Sequence, residues 1–286
     1  MLSQPRGDNV AISHQEGRST DTLDRTVLDN RFTPCAVIPG SIIIGSEANK
    51  GSEAYKPFDP AGEGTPESEW CALLNRHQDW QPKRGPLVVV APHPDDETLG
   101  AGGLIHDWAM AGLAVTIVSV TDGEAADIER PELAVIRREE LQQALRKLSP
   151  VHVVVKRLGI PDGRVQEHTN RLRNALDSHA DPSGTLVVPF ECDGHPDHDA
   201  VGKTGIELAL AYGIPIVRYP IWTWHHANPS ALAGLPWKRF RLSTEAQRAK
   251  VHAIQCFQSQ LRPPHGPPIV PPHVLTYFSR PFEAFI

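Results

Sequence analysis

From residue 86 onward the chain alternates short apolar runs with longer segments in which apolar residues recur every three or four positions. Leu87-Val88-Val89-Val90 is continuous and β-branched, as expected of a strand buried on both faces. Residues 114–120 repeat the pattern, as do 151–155, 185–189 and 215–217. Between these runs the spacing predicts helices over 99–111, 132–148, 166–180 and 199–211. In the second of them Leu133, Ile136, Leu141, Ala144, Leu145 and Leu148 form one stripe, and positions 137–140 read as its wet side. Strands separated by helices of this length make βαβ units. The expected fold class is α/β: a Rossmann-like, mainly parallel sheet with helices on both faces. In such a sheet ligands bind outside the carboxyl ends of the strands.

The pattern changes near residue 65. Before it Ser, Asp, Gly and Pro dominate, and a single apolar stretch over 36–44 stands out as a candidate edge strand. Residues 1–64 therefore read as an N-terminal extension, partly disordered or loosely docked. The domain proper is expected over 65–286. Thr65-Pro66-Glu67 resembles a helix start, with Thr65 as cap, Pro in the first turn and an acid facing the dipole.

Charge narrows the list of partners. The chain carries 28 Lys and Arg against 34 Asp and Glu, a net of -6, with no basic cluster. Phosphate backbones are bound through such clusters, so nucleic acid is not expected. No apolar run is long enough to span a membrane, and residues 1–8 lack the apolar stretch of a secretory leader. The four cysteines (Cys35, Cys71, Cys192, Cys256) form no C-x-x-C pair. A reducing, cytoplasmic setting is expected on these grounds. Oligomeric state is not legible.

The candidate chemistry sits in two places. His93-Pro94-Asp95-Asp96-Glu97 follows the first predicted strand, and Asp193-Gly194-His195-Pro196-Asp197-His198-Asp199 follows the fourth. Both clusters are rich in imidazole and carboxylate, the nitrogen and oxygen ligands of zinc. Alone, either would be an ordinary polar turn. Placed together on one edge of a parallel sheet they read as a metal site. His93, Asp96 and His198 could supply three ligands, leaving Asp95 and His195 as base and acid.

These two segments resemble the signatures of the LmbE/PIG-L deacetylases, the family that includes GlcNAc-phosphatidylinositol deacetylase and the deacetylases of mycothiol and bacillithiol synthesis. Thr121-Asp122-Gly123-Glu124, Arg137 with Glu140-Leu141, the loop 158–163, and Lys250 with Ser259-Gln260 extend the resemblance in the right order. The first 80 or so residues lie outside it. The resemblance implies Zn2+ held by His93, Asp96 and His198, with Asp95 as general base. It also implies Arg137 in contact with sugar hydroxyls, where a solvated helix face is the alternative. His195, when protonated, would face the oxyanion and protonate the leaving amine. Asp197 or Asp199 would fix a histidine tautomer. Where mycothiol-type members carry a tyrosine, this chain has Asp193.

The expected activity is metal-dependent hydrolysis of an N-acetyl group from a small amino sugar or its glycoside. The alternatives are deacylation of another N-acyl compound, such as a glycopeptide, and carbohydrate binding without catalysis. A His2Asp set also suits Fe2+. Glu97 and Asp122 read as supports for the ligands or as simple loop acids. Cys192 reads as a small buried side chain, and Gly100-Ala101-Gly102-Gly103 as close helix–sheet packing. Trp222 and Trp224 read as a sugar-stacking wall or as packing, and His225-His226 as surface.

Overall fold

The computed structural model describes residues 62–149 and 153–286. The assignments made for 1–61, including the apolar stretch over 36–44, lie outside the described residues.

The chain enters through α1 (Glu67–Leu74) and then alternates: β1 (Leu87–Ala91), α2 (Asp96–Met110), β2 (Val115–Ser119), α3 (Leu133–Leu148), β3 (Val154–Arg157), α4 (Thr169–Asp177), β4 (Thr185–Pro189), α5 (Pro196–Tyr212) and β5 (Ile216–Tyr219). The strands form one parallel sheet in the order β3-β2-β1-β4-β5. Period-two alternation sends Leu87 and Val89 to one face, with Leu104, Ile105, Leu141 and Ala253. Val88 and Val90 go to the other, with Leu172, Leu176, Val201 and Leu208. A strand apolar on both sides therefore has a core on each, as its continuous β-branched run implies.

The C-terminal third adds α6 (Thr223–His226), β6 (Lys238–Arg241), α7 (Thr244–Ile254), α8 (Gln258–Leu261), α9 (Pro272–Leu275) and β7 (Phe282–Phe285), with β6 and β7 paired antiparallel. This part repairs a defect in α2. At Ala101 the helix breaks (φ −143°, ψ 16°), which frees the amides of the next turn. Gly103 and Leu104 donate instead to the buried carboxylate of Glu283, at 2.7 and 2.9 Å, and Lys250 neutralises it at 2.6 Å. The glycines there are needed for approach: a Cβ on Gly100 would lie 2.3 Å from the Tyr219 ring, and one on Gly103 would lie 2.3 Å from Leu242.

Several expectations shift. Pro66, not Thr65, occupies the cap of α1, and the Thr65 hydroxyl donates to the Ala227 carbonyl at 2.8 Å. α2 begins at Asp96, three residues early, because the loop after β1 turns directly into it. β3 runs to Arg157, later than expected, and residues 150–152 lie outside the described set. Positions 137 and 140 of α3 are not wet: Arg137 and Glu140 are both buried. His225 and His226 are buried as well, and Trp224 packs edge-on to Trp70 and stacks on Trp237.

Candidate active site

The strand order reverses direction between β1 and β4, the place where an open α/β sheet leaves a crevice at its carboxyl edge. His93 follows β1 by two residues, and His195 and His198 follow β4 within nine. Both predicted clusters therefore meet at the switch point.

Three atoms converge there. His93 Nδ1 lies 3.2 Å from His198 Nε2, and Asp96 Oδ2 lies 3.3 Å from each. Each histidine is held from behind. His198 Nδ1 donates to Asp193 Oδ2 at 2.8 Å, and His93 Nε2 faces Asp162 Oδ1 at 3.1 Å and Asp197 Oδ2 at 3.4 Å. Once the inner nitrogens give up their protons, both rings turn a lone pair toward a carboxylate oxygen, and three acceptors so arranged suit a cation between them. Ligands at about 2.0–2.1 Å from one tetrahedral ion stand about 3.3–3.4 Å apart, close to the edges seen here.

Two further triads also gather within 4.8 Å, His93/His195/His198 and His93/Asp162/Asp197. Their members make hydrogen bonds of their own, as Asp96 Oδ2 does with the His93 amide at 2.8 Å. His195 Nδ1 accepts from the Asp197 amide at 3.2 Å, and the two Asp197 oxygens accept from Gly163 and Val165 at 2.7 and 3.0 Å.

The electrostatics follow from this crowding. Burial pulls the His198 pKa down, but Asp96 and Asp193 outweigh it and lift it to about 10. Burial likewise opposes His93, which Asp162, Asp197 and Asp96 hold well above the usual imidazole value. Burial would raise Asp96, and the two imidazoles push it far below the carboxylate range. Asp95 goes the other way: burial first, then its neighbours Asp96 and Glu97, raise it well above an ordinary aspartate, with Arg137 opposing. Its backbone is strained, with φ at 132°, the single non-glycine positive φ among the described residues. The Glu97 carboxylate receives the Asp95 amide at 3.2 Å and the Thr98 hydroxyl at 2.5 Å, which supports that turn from beneath.

His195 differs from its expected cationic form. Burial, then the neighbouring His93 and His198, hold its pKa down to about 3. Since Nδ1 accepts from the Asp197 amide, the neutral ring carries its proton on Nε2.

Arg137 is 3% exposed, which excludes the solvated-face alternative. One of its Nη atoms donates to the Gly123 carbonyl at 2.7 Å, while Nε and the other Nη are buried without a partner. Glu140, one turn on, accepts from the Ser259 amide and hydroxyl at 2.7 and 2.6 Å, and Gln260 donates to the Pro94 carbonyl. Of the residues that extended the resemblance, Gln260 and Thr121 brace the loop after β1, through the Pro94 and Pro92 carbonyls. Asp122 is paired with Arg157 at 2.9 Å and with Arg138 at 3.5 Å.

The expected tautomer-fixing acids were Asp197 or Asp199. Asp197 does face His93, but Asp162 stands nearer to it and Asp193 serves His198. Asp199 receives the Gly194 amide at 3.1 Å instead. Local spacing could not reveal Asp162, which lies far from His93 in sequence. Cys192 is buried beside the site, and Cys71 and Cys256 are free. Among the described residues no helix is long and apolar enough to cross a membrane.

Residues 88–209 match the GlcNAc-PI de-N-acetylase (PIG-L) family. The chain contains a PIG-L domain. It is similar to 1D-myo-inositol 2-acetamido-2-deoxy-alpha-D-glucopyranoside deacetylase of Acidothermus cellulolyticus, 29% identical over 46% of this chain and 41% of that protein. It is also similar to diacetylchitobiose deacetylase of Thermococcus kodakarensis, 29% identical over 45% of this chain and 51% of that protein. The matched stretch thus spans about half the length of these curated relatives or less. The PIG-L fold also superposes on N,N'-diacetylchitobiose deacetylase from Pyrococcus horikoshii with a TM-score of 0.53 and 22% identity, covering 78% of this chain and 92% of that one.

Proposed function

We propose that this PIG-L domain, taken over residues 65–286, is a zinc-dependent deacetylase that hydrolyses the N-acetyl group of a small amino sugar or its glycoside. The observation that carries the reading is the triangle of His93 Nδ1, Asp96 Oδ2 and His198 Nε2, with edges of 3.2–3.3 Å at the sheet's switch point. The similar deacetylases of A. cellulolyticus and T. kodakarensis point to the substrate class.

In this reading His93, Asp96 and His198 hold the ion, which when bound polarises the acetyl carbonyl and acidifies the attacking water. Asp95, made basic by burial, takes the water proton as the C–O bond forms. The neutral Nε2–H of His195 donates to the developing oxyanion. As the C–N bond breaks, Asp95 passes its proton to the departing nitrogen, giving acetate and the free amine. The partnerless N–H groups of Arg137 are donors for sugar hydroxyls. Metal uptake displaces protons from the basic imidazoles, so affinity should fall with falling pH. Fe2+ fits the same donor set.

The test is metal content alongside acetate release from N-acetylglucosamine and its glycosides, with Asp95→Ala as control. About one zinc per chain is expected, and Asp95→Ala should keep the metal while losing about 10²- to 10⁴-fold in turnover. Metal without acetate from any sugar would move the reading to other N-acyl substrates. No metal after reconstitution would defeat it.

A further inference from the structure

Asp193 is fully buried and accepts five hydrogen bonds on two oxygens. Oδ2 receives His198 Nδ1 at 2.8 Å and the Trp222 amide at 3.0 Å. Oδ1 receives the amides of Ile221 and Thr223, both at 2.9 Å, and the Thr223 hydroxyl at 2.7 Å. This is the position at which mycothiol-type members carry a tyrosine and this chain departs from them. Aspartate there cannot act as a phenol toward substrate, since every lone-pair direction is already engaged within the protein.

We propose that Asp193 is a positioning residue that acts on the metal through His198. Its carboxylate ties the loop after β4 to the turn after β5 and holds the His198 proton on Nδ1, which leaves Nε2 open to the ion. This rests on the metal reading above and deepens it. The chemistry requires an acceptor-only group. Each of the five partners is a donor, and a carboxylate is the side chain of this size that accepts at both ends. A buried backbone amide left without its acceptor is destabilising, so the turn and the imidazole compete for any group that accepts at one end only.

Asp193→Asn exposes that competition. If the amide oxygen serves the three donors on the Oδ1 side, the NH2 faces His198 Nδ1. The imidazole must then accept, which moves its proton to Nε2 and closes the coordinating lone pair. If the oxygen serves His198 instead, the NH2 opposes the amides of the turn. Thr223→Val is the counterpart: it removes one donor from Oδ1 and leaves the His198 contact intact.

The experiment measures zinc affinity by competition with a chromophoric chelator, and the melting temperature of each metal-free protein. For Asp193→Asn we expect zinc affinity to fall about 10- to 100-fold. Thr223→Val should lower the melting temperature while binding zinc as the wild type does. Equal zinc affinity in Asp193→Asn and wild type would overturn the inference. So would a loss in Thr223→Val that matches its destabilisation, because Asp193 would then be only a structural tie. Should Asp193→Asn fail to fold, nitrogen-15 NMR of the zinc-loaded wild type decides. A hydrogen-bonded Nδ1 proton on His198 supports the assignment, and its absence rules it out. Failure of the wild type to bind zinc would instead remove the metal reading, and this inference with it.

Discussion

The loop after β1 and the loop after β4 each bring a histidine and carboxylates to the same centre, but they are held differently. His198 is fully buried, sits in the first turn of α5 and is backed by the saturated carboxylate of Asp193. His93 keeps 13% of its side-chain surface, and its outer nitrogen is shared between Asp162 and Asp197 at 3.1 and 3.4 Å. The same loop contains Asp95 with its positive φ, and it is steadied from outside by Gln260 through the Pro94 carbonyl. One loop is an anchor. The other stores strain at the residue proposed to move a proton, a usual place for it.

Three measurements can break or sharpen this contrast. The largest expected effect comes from pH. Burial raises the Glu97 pKa from 4.5 to about 7, with Thr98 and the Asp95 amide opposing. A carboxyl raised on folding adds stability that is fully present below pH 4.5 and is lost as pH rises through 7, at most about 3 kcal/mol. With metal chelated, the melting temperature of the wild type should therefore decline between pH 5 and 8 more steeply than that of Glu97→Gln. Parallel curves would mean that the turn under Asp95 holds no such acid.

Next is Glu140→Gln, which removes the charged acceptor of both Ser259 donors and should cost about 1–3 kcal/mol in denaturant titration. Through Gln260 it reaches the loop after β1, which carries His93 and leads into Asp96, so turnover and zinc affinity should both drop. Unchanged zinc affinity with reduced turnover would show that the brace steadies Asp95 without placing His93. The smallest effect separates Asp95→Gly from Asp95→Ala. Both delete the proposed base, but glycine accepts the positive φ, so it should be the more stable by about 1 kcal/mol. Equal melting temperatures would deny the strain.

The fold class and the meeting of the two His/Asp clusters were legible because their signals are local. A continuous β-branched strand declares two buried faces, and a His/Asp cluster directly after such a strand lands on the sheet's binding edge whatever the rest of the chain does. The carboxylates behind the two histidines were hidden for the opposite reason. Asp193 is recognised by amides 28 to 30 positions away, and Asp162 reaches His93 across the sheet. Arg137 and Glu140 read as a wet helix face because periodicity registers polarity. It does not register that Gly123 and Ser259 will fold over that face. His195 was expected as a cation, and only its packing among His93 and His198 makes it a neutral donor. The amino-acid sequence by itself determined which groups could meet a cation. Tertiary structure decided which nitrogen of each ring faces inward and how much charge each group keeps, because tautomer and pKa depend on neighbours that the chain brings together only when folded.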